Sequence, residues 1–331
     1  MIFGFAKDRP RPPLWAAFMP LLVGLSVYGW FWVGESQALK QDVQKFFAPK
    51  AVEMGGFPYR VSASFAPAQV ARTSGELYWH FTAAQMEINR QPWRRNLSVA
   101  HANAPTLEVV ADAWPDAMLT VRGTQMLGSL HVEQGVVQRL SGVFERAEVR
   151  LPFLPLPLVS PSFEVHLRET PQTKPQSGKS PTAPDQAQLR FLGPVQIDSR
   201  GETVEMESDI GITQDAPLVS VSQWRRGGTI ELRALHLRDS KGFVFFTMNA
   251  TLAPLPDGRM AISGTYETSC PRTIAALMIG MPSPQEYRTR RPQKFALNGF
   301  AGGKLDVAPV VEGFTGGPAR NREPACPVLR R

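Results

Sequence analysis

The chain has 331 residues, 43% of them hydrophobic, with 36 Lys and Arg against 29 Asp and Glu for a formal charge of +7. Thirty prolines and 27 glycines argue against a helical protein, because each proline removes a backbone donor and each glycine weakens a helix. The two cysteines, Cys270 and Cys326, are too few and too far apart for a cysteine zinc site.

The first element is Leu14 to Val33, LWAAFMPLLVGLSVYGWFWV, twenty residues without a charged side chain. At about 1.5 Å of rise per residue it covers roughly 30 Å, the thickness of a bilayer's hydrocarbon core. Lys7, Arg9 and Arg11 outnumber Asp8 in the preceding segment, and such a basic flank stays on the cytoplasmic side. Residues 1–13 are therefore expected in the cytoplasm, 14–33 as a transmembrane helix and the rest outside. Trp15 lies near one end of the span and Tyr28, Trp30 and Trp32 near the other, where amphipathic rings meet headgroups. Two rival readings are a cleaved signal peptide, with Ser36-Gln37-Ala38 as its site, and a buried globular helix. A secretory apolar region is usually about 7 to 15 residues, shorter than this one.

Residues 35–54 place Leu39, Val43, Phe46 and Phe47 at helical spacing and predict a short amphipathic helix ended by Pro49 and Gly55-Gly56. From Phe57 the period becomes two: Phe57, Tyr59, Val61, Ala63 and Phe65 alternate with smaller or polar residues, as in a strand with one buried face. Similar runs recur at 75–81, 84–89, 97–100, 107–110, 118–122, 128–132, 143–150 and 163–168, a meander of antiparallel strands making a first β portion over 55–169. The run LPFLPLPLVSP at 151–161 has four prolines, which forbids a central strand and leaves an edge or connector. Residues 170–187 lack large apolar side chains and read as a flexible linker or long loop.

A second β portion, 188–312, opens with strands at 189–197 and 203–212. It continues into strands 243–252 and 259–267, joined by the turn Pro256-Asp257-Gly258. Phe243 and Phe245 alternate with Val244 and Phe246, followed by Met248, so this strand is apolar on both faces and is either covered on both sides or faces a groove. Thr273 to Met281 reads as a short buried helix, and 313–331 as a tail, partly disordered. The fold class expected is mainly β: large curved antiparallel meander sheets with a few short helices behind one N-terminal span. Cys270 and Cys326 are either one disulfide, stabilising by about 3 to 4 kcal/mol, or two free buried thiols.

The anchor, the short helix, the motif Gly56-Phe57-Pro58-Tyr59-Arg60, the segment Trp224…Gly228-Thr229-Ile230-Glu231-Leu232 and the turn Asp257-Gly258…Gly264 together resemble the Gram-negative envelope family called domain of unknown function 2125. The resemblance implies an inner-membrane, single-pass protein with most of the chain in the periplasm and no established activity. More distantly, the architecture is similar to the long β-sheet envelope proteins of the AsmA type, which implies lipid handling.

No residue set specifies a reaction. His80, His101, His131, His166 and His236 are scattered singly, and nucleotide-binding and hydrolase-elbow motifs are absent from the sequence. No enzyme activity, cofactor, metal or nucleic-acid partner is expected. Trp93-Arg94-Arg95 and Trp224-Arg225-Arg226 set a tryptophan beside two arginines in each half, either as headgroup contacts or as core tryptophans with solvated arginines. The sequence thus predicts a non-enzymatic envelope protein that binds lipid or an envelope partner through an apolar sheet face. Alternatives are a ligand-free scaffold of an inner-membrane complex and an exported hydrolase.

Overall fold

The computed structural model describes residues 14–74, 77–111, 114–133, 136–150, 157–169, 185–198, 200–214, 226–257, 259–300, 303, 305–310 and 323–331. Among these residues, two helices accompany one antiparallel sheet of 18 strands, which does not close. Helix α1 (Leu14–Phe47) is continuous and merges the two helices expected at 14–33 and 35–54. Nothing between Val33 and Phe47 removes a backbone donor; the only proline inside the helix is Pro20. The helix stops where Ala48 takes φ 47 and Pro49 follows, so β1 (Glu53–Gly55) replaces the expected last helical residues. Among the described residues no helix is long and apolar enough to cross a membrane, and the side chains of α1 are described from Phe18 onward.

The first half of the sheet is built from long strands bent near their middle. β2 (Val61–Phe65) turns into β3 (Ala68–Ser74), β4 (Leu77–Ala83) into β5 (Gln85–Gln91), β6 (Arg94–Asn103) into β7 (Thr106–Ala111), and β8 (Trp114–Arg122) into β9 (Gln125–Glu133). The fifteen-residue β10 (Val136–Arg150) bends without a break at Arg146, φ 47. Corner amides bond to the next corner: Ala84 N–H to the Asn103 carbonyl (2.9 Å), Ala104 N–H to Thr124 (2.8 Å) and Thr124 N–H to Glu145 (2.9 Å). Two arms result, β2-β5-β6-β9 and β3-β4-β7-β8, both joined to β10. The bend lets the apolar faces meet, enclosing Val61, Phe65, Val70, Phe81 and Met86, and α1 adds Leu39 and Val43 to this core.

Beyond β10 each strand pairs with the next: β11 (Leu158–Glu169), β12 (Asp185–Val195), β13 (Val204–Thr213), β14 (Thr229–Arg238), β15 (Val244–Pro254), β16 (Met260–Thr268), β17 (Gln293–Phe300) and β18 (Leu305–Pro309). α2 (Pro271–Met278) and the last residues close a second core, where Ile274 and Leu329 pack with Val195 and Phe245. Cys270 and Cys326 are bridged, Cα to Cα 5.8 Å, which ties down the end of the chain. Residues 323–331 are therefore packed rather than disordered; residues 311–322, like most of the expected linker, lie outside the described residues.

Three expectations need correction. The strand expected from Phe57 begins at Val61, because Gly56 takes φ 93 and the Arg60 amide bonds back to the Gly56 carbonyl at 3.0 Å. Pro161 lies inside β11, opposite the Arg146 bulge; pairing passes from Glu145↔Ser162 to Ala147↔Ser160, so no partner there needs its missing donor. The strands β3, β17 and β18 were not anticipated, since Ala68 to Ser74 and Gln293 to Pro309 carry too few large apolar residues to show alternation.

Candidate functional site

Register decides which side chains share a face, because directly paired residues lie on the same side and neighbours along a strand on opposite sides. Following the pairs outward from β9 gives one row: Leu130, Leu140, Leu167, Leu189, Ile210, Leu232, Ala250, Gly264, Leu297 and Val307. Every member is apolar or glycine, and ten strands at about 4.8 Å spacing make the row roughly 43 Å long. Two residues along each strand a parallel row runs Val165, Phe191, Ser208, Leu235, Met248, Tyr266 and Phe295. A third carries Met126, Phe144, Phe163, Gly193, Met206, Leu237 and Phe246. A bulge in β14 inserts one residue between Leu232 and Leu235, which keeps both on this face although they are three apart.

The opposite face is polar. Thr229 and Thr251 donate to Glu231 at 2.7 and 2.6 Å, Thr265 donates to Asn249 at 3.1 Å and Ser263 to Asn298 at 3.0 Å. Glu207 accepts from Arg238 and Arg190 (2.9 and 3.0 Å), and the Arg238 hydrogen bond is the main cause that holds its carboxyl below the ordinary range. A concavity of about 360 Å³ on this face is lined by Glu231, Arg233, Asn249, Thr251, Ser263 and Thr265. One sheet face is solvated and the other apolar, as antiparallel sheets commonly are.

Burial grades along the apolar face. In the third row Phe144, Phe163, Leu237 and Phe246 are buried beside α2 and the C-terminal residues. In the first row Leu140 is 44% and Val307 39% exposed, Leu130, Leu167, Leu189, Ile210 and Leu232 are half-buried, and Ala250 and Leu297 are buried. The face therefore has a closed end and an open end. The open end is the side on which β5, β9, β11, β13, β15 and β17 finish and their partners begin.

The sequence-predicted residues fall unevenly on this frame. Phe245 and Phe246 are both buried in one core cluster at the closed end, where a register shift inserts Phe245 between Val244, opposite Arg238, and Phe246, opposite Leu237. Met248 belongs to the middle row, and Val244 is partly exposed at the strand's start. Phe243 precedes the strand and supports Arg288, whose guanidinium carbon lies 4.4 Å from the ring centre. Trp93 is exposed at the β5–β6 tip, with Arg94 beside it; Arg95 donates to Glu35 of α1. Trp224 and Arg225 lie outside the described residues; Arg226 is exposed just before β14.

Among the described residues the histidines do not converge. His80 meets Gln69 (3.2 Å), His131 meets Asn96 (2.9 Å), His166 meets Glu164 (3.2 Å) and His236 meets Thr247 (3.3 Å), each separately. Among the described residues no group of three or more His, Cys, Asp or Glu could hold a metal.

A family model described as "Uncharacterized protein conserved in bacteria (DUF2125)" matches residues 47–260. The chain belongs to this family. The DUF2125 match runs from the end of α1 to the first residue of β16, so it contains both bent arms and the rows as far as β15. No curated protein and no solved structure matches the chain. Sequence reasoning missed the apolar rows of this DUF2125 protein because alternation marks a strand's faces but not its partner; the usable signal was the repeated Leu or Ile near the end of each run.

Proposed function

We propose that this is a non-enzymatic envelope protein, anchored in the inner membrane by the first half of α1 with its sheet in the periplasm, and that the apolar face holds lipid acyl chains. The row from Leu130 to Val307 carries the reading: it is long and continuous, and apart from the buried Ala250 and Leu297 its large side chains are half-buried or exposed. Apolar surface left in water costs about 25 cal/mol per Å², and monomeric soluble proteins rarely leave patches of this extent open. Support for the anchor is the helix beyond the fold, where Leu21, Leu22, Val23, Leu25 and Val27 are each more than half exposed, together with the apolar run from Leu14 and the basic residues before it.

The test is native mass spectrometry of the full-length protein after gentle detergent extraction. Phospholipid should accompany it, and L140D or L189D should lower bound lipid while leaving the far-ultraviolet spectrum unchanged, since water reaches both sites. L297D, at a site 1% exposed, should instead unfold the protein. Wild-type protein free of lipid would leave the scaffold reading in place. A reporter active only in the cytoplasm, fused after Arg331, should be silent.

A further inference from the structure

Where α1 leaves the fold, two loops are fixed to it by hydrogen bonds that leave their aromatic rings outside. The Tyr28 hydroxyl donates to the Pro58 carbonyl, and Trp32 Nε1 donates to the Arg60 carbonyl at 2.9 Å, holding the Phe57–Arg60 loop against the helix. On another side Arg95 donates from Nε to both oxygens of Glu35 (2.9 and 2.8 Å) and from Nη to one of them, holding the β5–β6 tip. Glu35 is buried, 2% exposed, whereas the rings of the loops these bonds hold are not: Phe57 is 56%, Tyr59 80% and Trp93 59% exposed, beside Trp30 of the helix at 81%. Arg94 is also exposed, and Arg60 has its closest carboxylate, Glu87, 3.8 Å away.

We infer that these residues form a collar that seats the domain on an anionic phospholipid surface. The inference rests on the anchor reading above. Trp30 follows Val27 by about 4.5 Å of helix rise and Val33, 51% exposed, follows Trp30 by the same, so the collar begins within the last turn of the exposed apolar strip. A bilayer that takes up the strip brings its headgroups to that level. Rings with an apolar body and a polar tip favour that depth, and guanidinium groups pair with phosphate oxygens. A protein partner would also have to surround a helix already in lipid. Glu35 is a positioning residue: it keeps Arg95, and with it the Trp93 tip, against the helix.

The full chain, reconstituted in phosphatidylcholine vesicles with and without phosphatidylglycerol, tests this with lipids brominated near the headgroup. The quenched fluorescence of Trp93 is read as wild type minus W93L, and that of Trp30 as wild type minus W30L. Both tryptophans should be quenched in phosphatidylglycerol vesicles, and R60E/R94E should reduce the Trp93 signal at least twofold while leaving that of Trp30 unchanged. Quenching of Trp30 without Trp93 would overturn the collar and leave the anchor. Quenching of neither would overturn the anchor itself. Trp93 quenching equally strong without phosphatidylglycerol would overturn the anionic surface.

Discussion

Asp239 is held from three sides: the amides of Lys241 and Phe243 each donate to it at 2.9 Å, and the Arg288 guanidinium donates to its other oxygen. Burial pushes its carboxyl up, but the Arg288 hydrogen bond and the two amides outweigh that and leave it below the ordinary 3.8. Above that value its contribution to stability is complete; as pH falls through the lower folded value it is lost, because the unfolded chain takes the proton first. Asp239→Ala should cost about 3 to 5 kcal/mol in denaturant unfolding at pH 7, since it leaves Arg288 buried without its partner. The difference from wild type should shrink in acid. Tyr266 behaves in the opposite sense: burial raises its hydroxyl to about 12 from 10.0. The stability of the folded state should therefore fall between pH 10 and 12, and absorbance at the phenolate band should show one tyrosine titrating late. Little of this was visible in the residue order. Phe243 reads as one more apolar position in a run, and only its place before the strand makes it a platform for a cation from forty-five residues away.

At the scale of elements, α1 has two jobs divided along its length. Its last turns supply Leu39 and Val43, both 2% exposed, to the core between the bent arms. Phe47 meets Phe65 at 5.1 Å between ring centres. Leu39→Ala should cost about 2 to 5 kcal/mol by the same denaturant measurement, and Leu22→Ala almost nothing in detergent. The helical spacing of Leu39, Val43 and Phe47 made this face legible in the sequence. The single continuous helix was not, because the change from apolar to amphipathic composition at Gly34 looks like a boundary while the backbone continues through it. Strands were legible where large apolar residues alternate, as in Val204 to Thr213, and missed where small ones do, as in Ala68 to Ser74.

The whole molecule is a series. From β11 to β17 each strand pairs with the one before it and the one after it in chain order. The sequence announced the meander but not its unity: the composition of 170–187 suggests a division, yet β12 begins inside that stretch, at Asp185, and pairs directly with β11 through six residue pairs. Because β12 and β15 point in opposite directions, a chain with 204–238 removed keeps the alternation needed for them to become neighbours. Such a protein should fold with its apolar row shorter by two strand spacings, about 10 Å. The length of the apolar face is thus counted in hairpins, a quantity that insertion or loss of one gene segment changes in whole steps without redesigning any side chain.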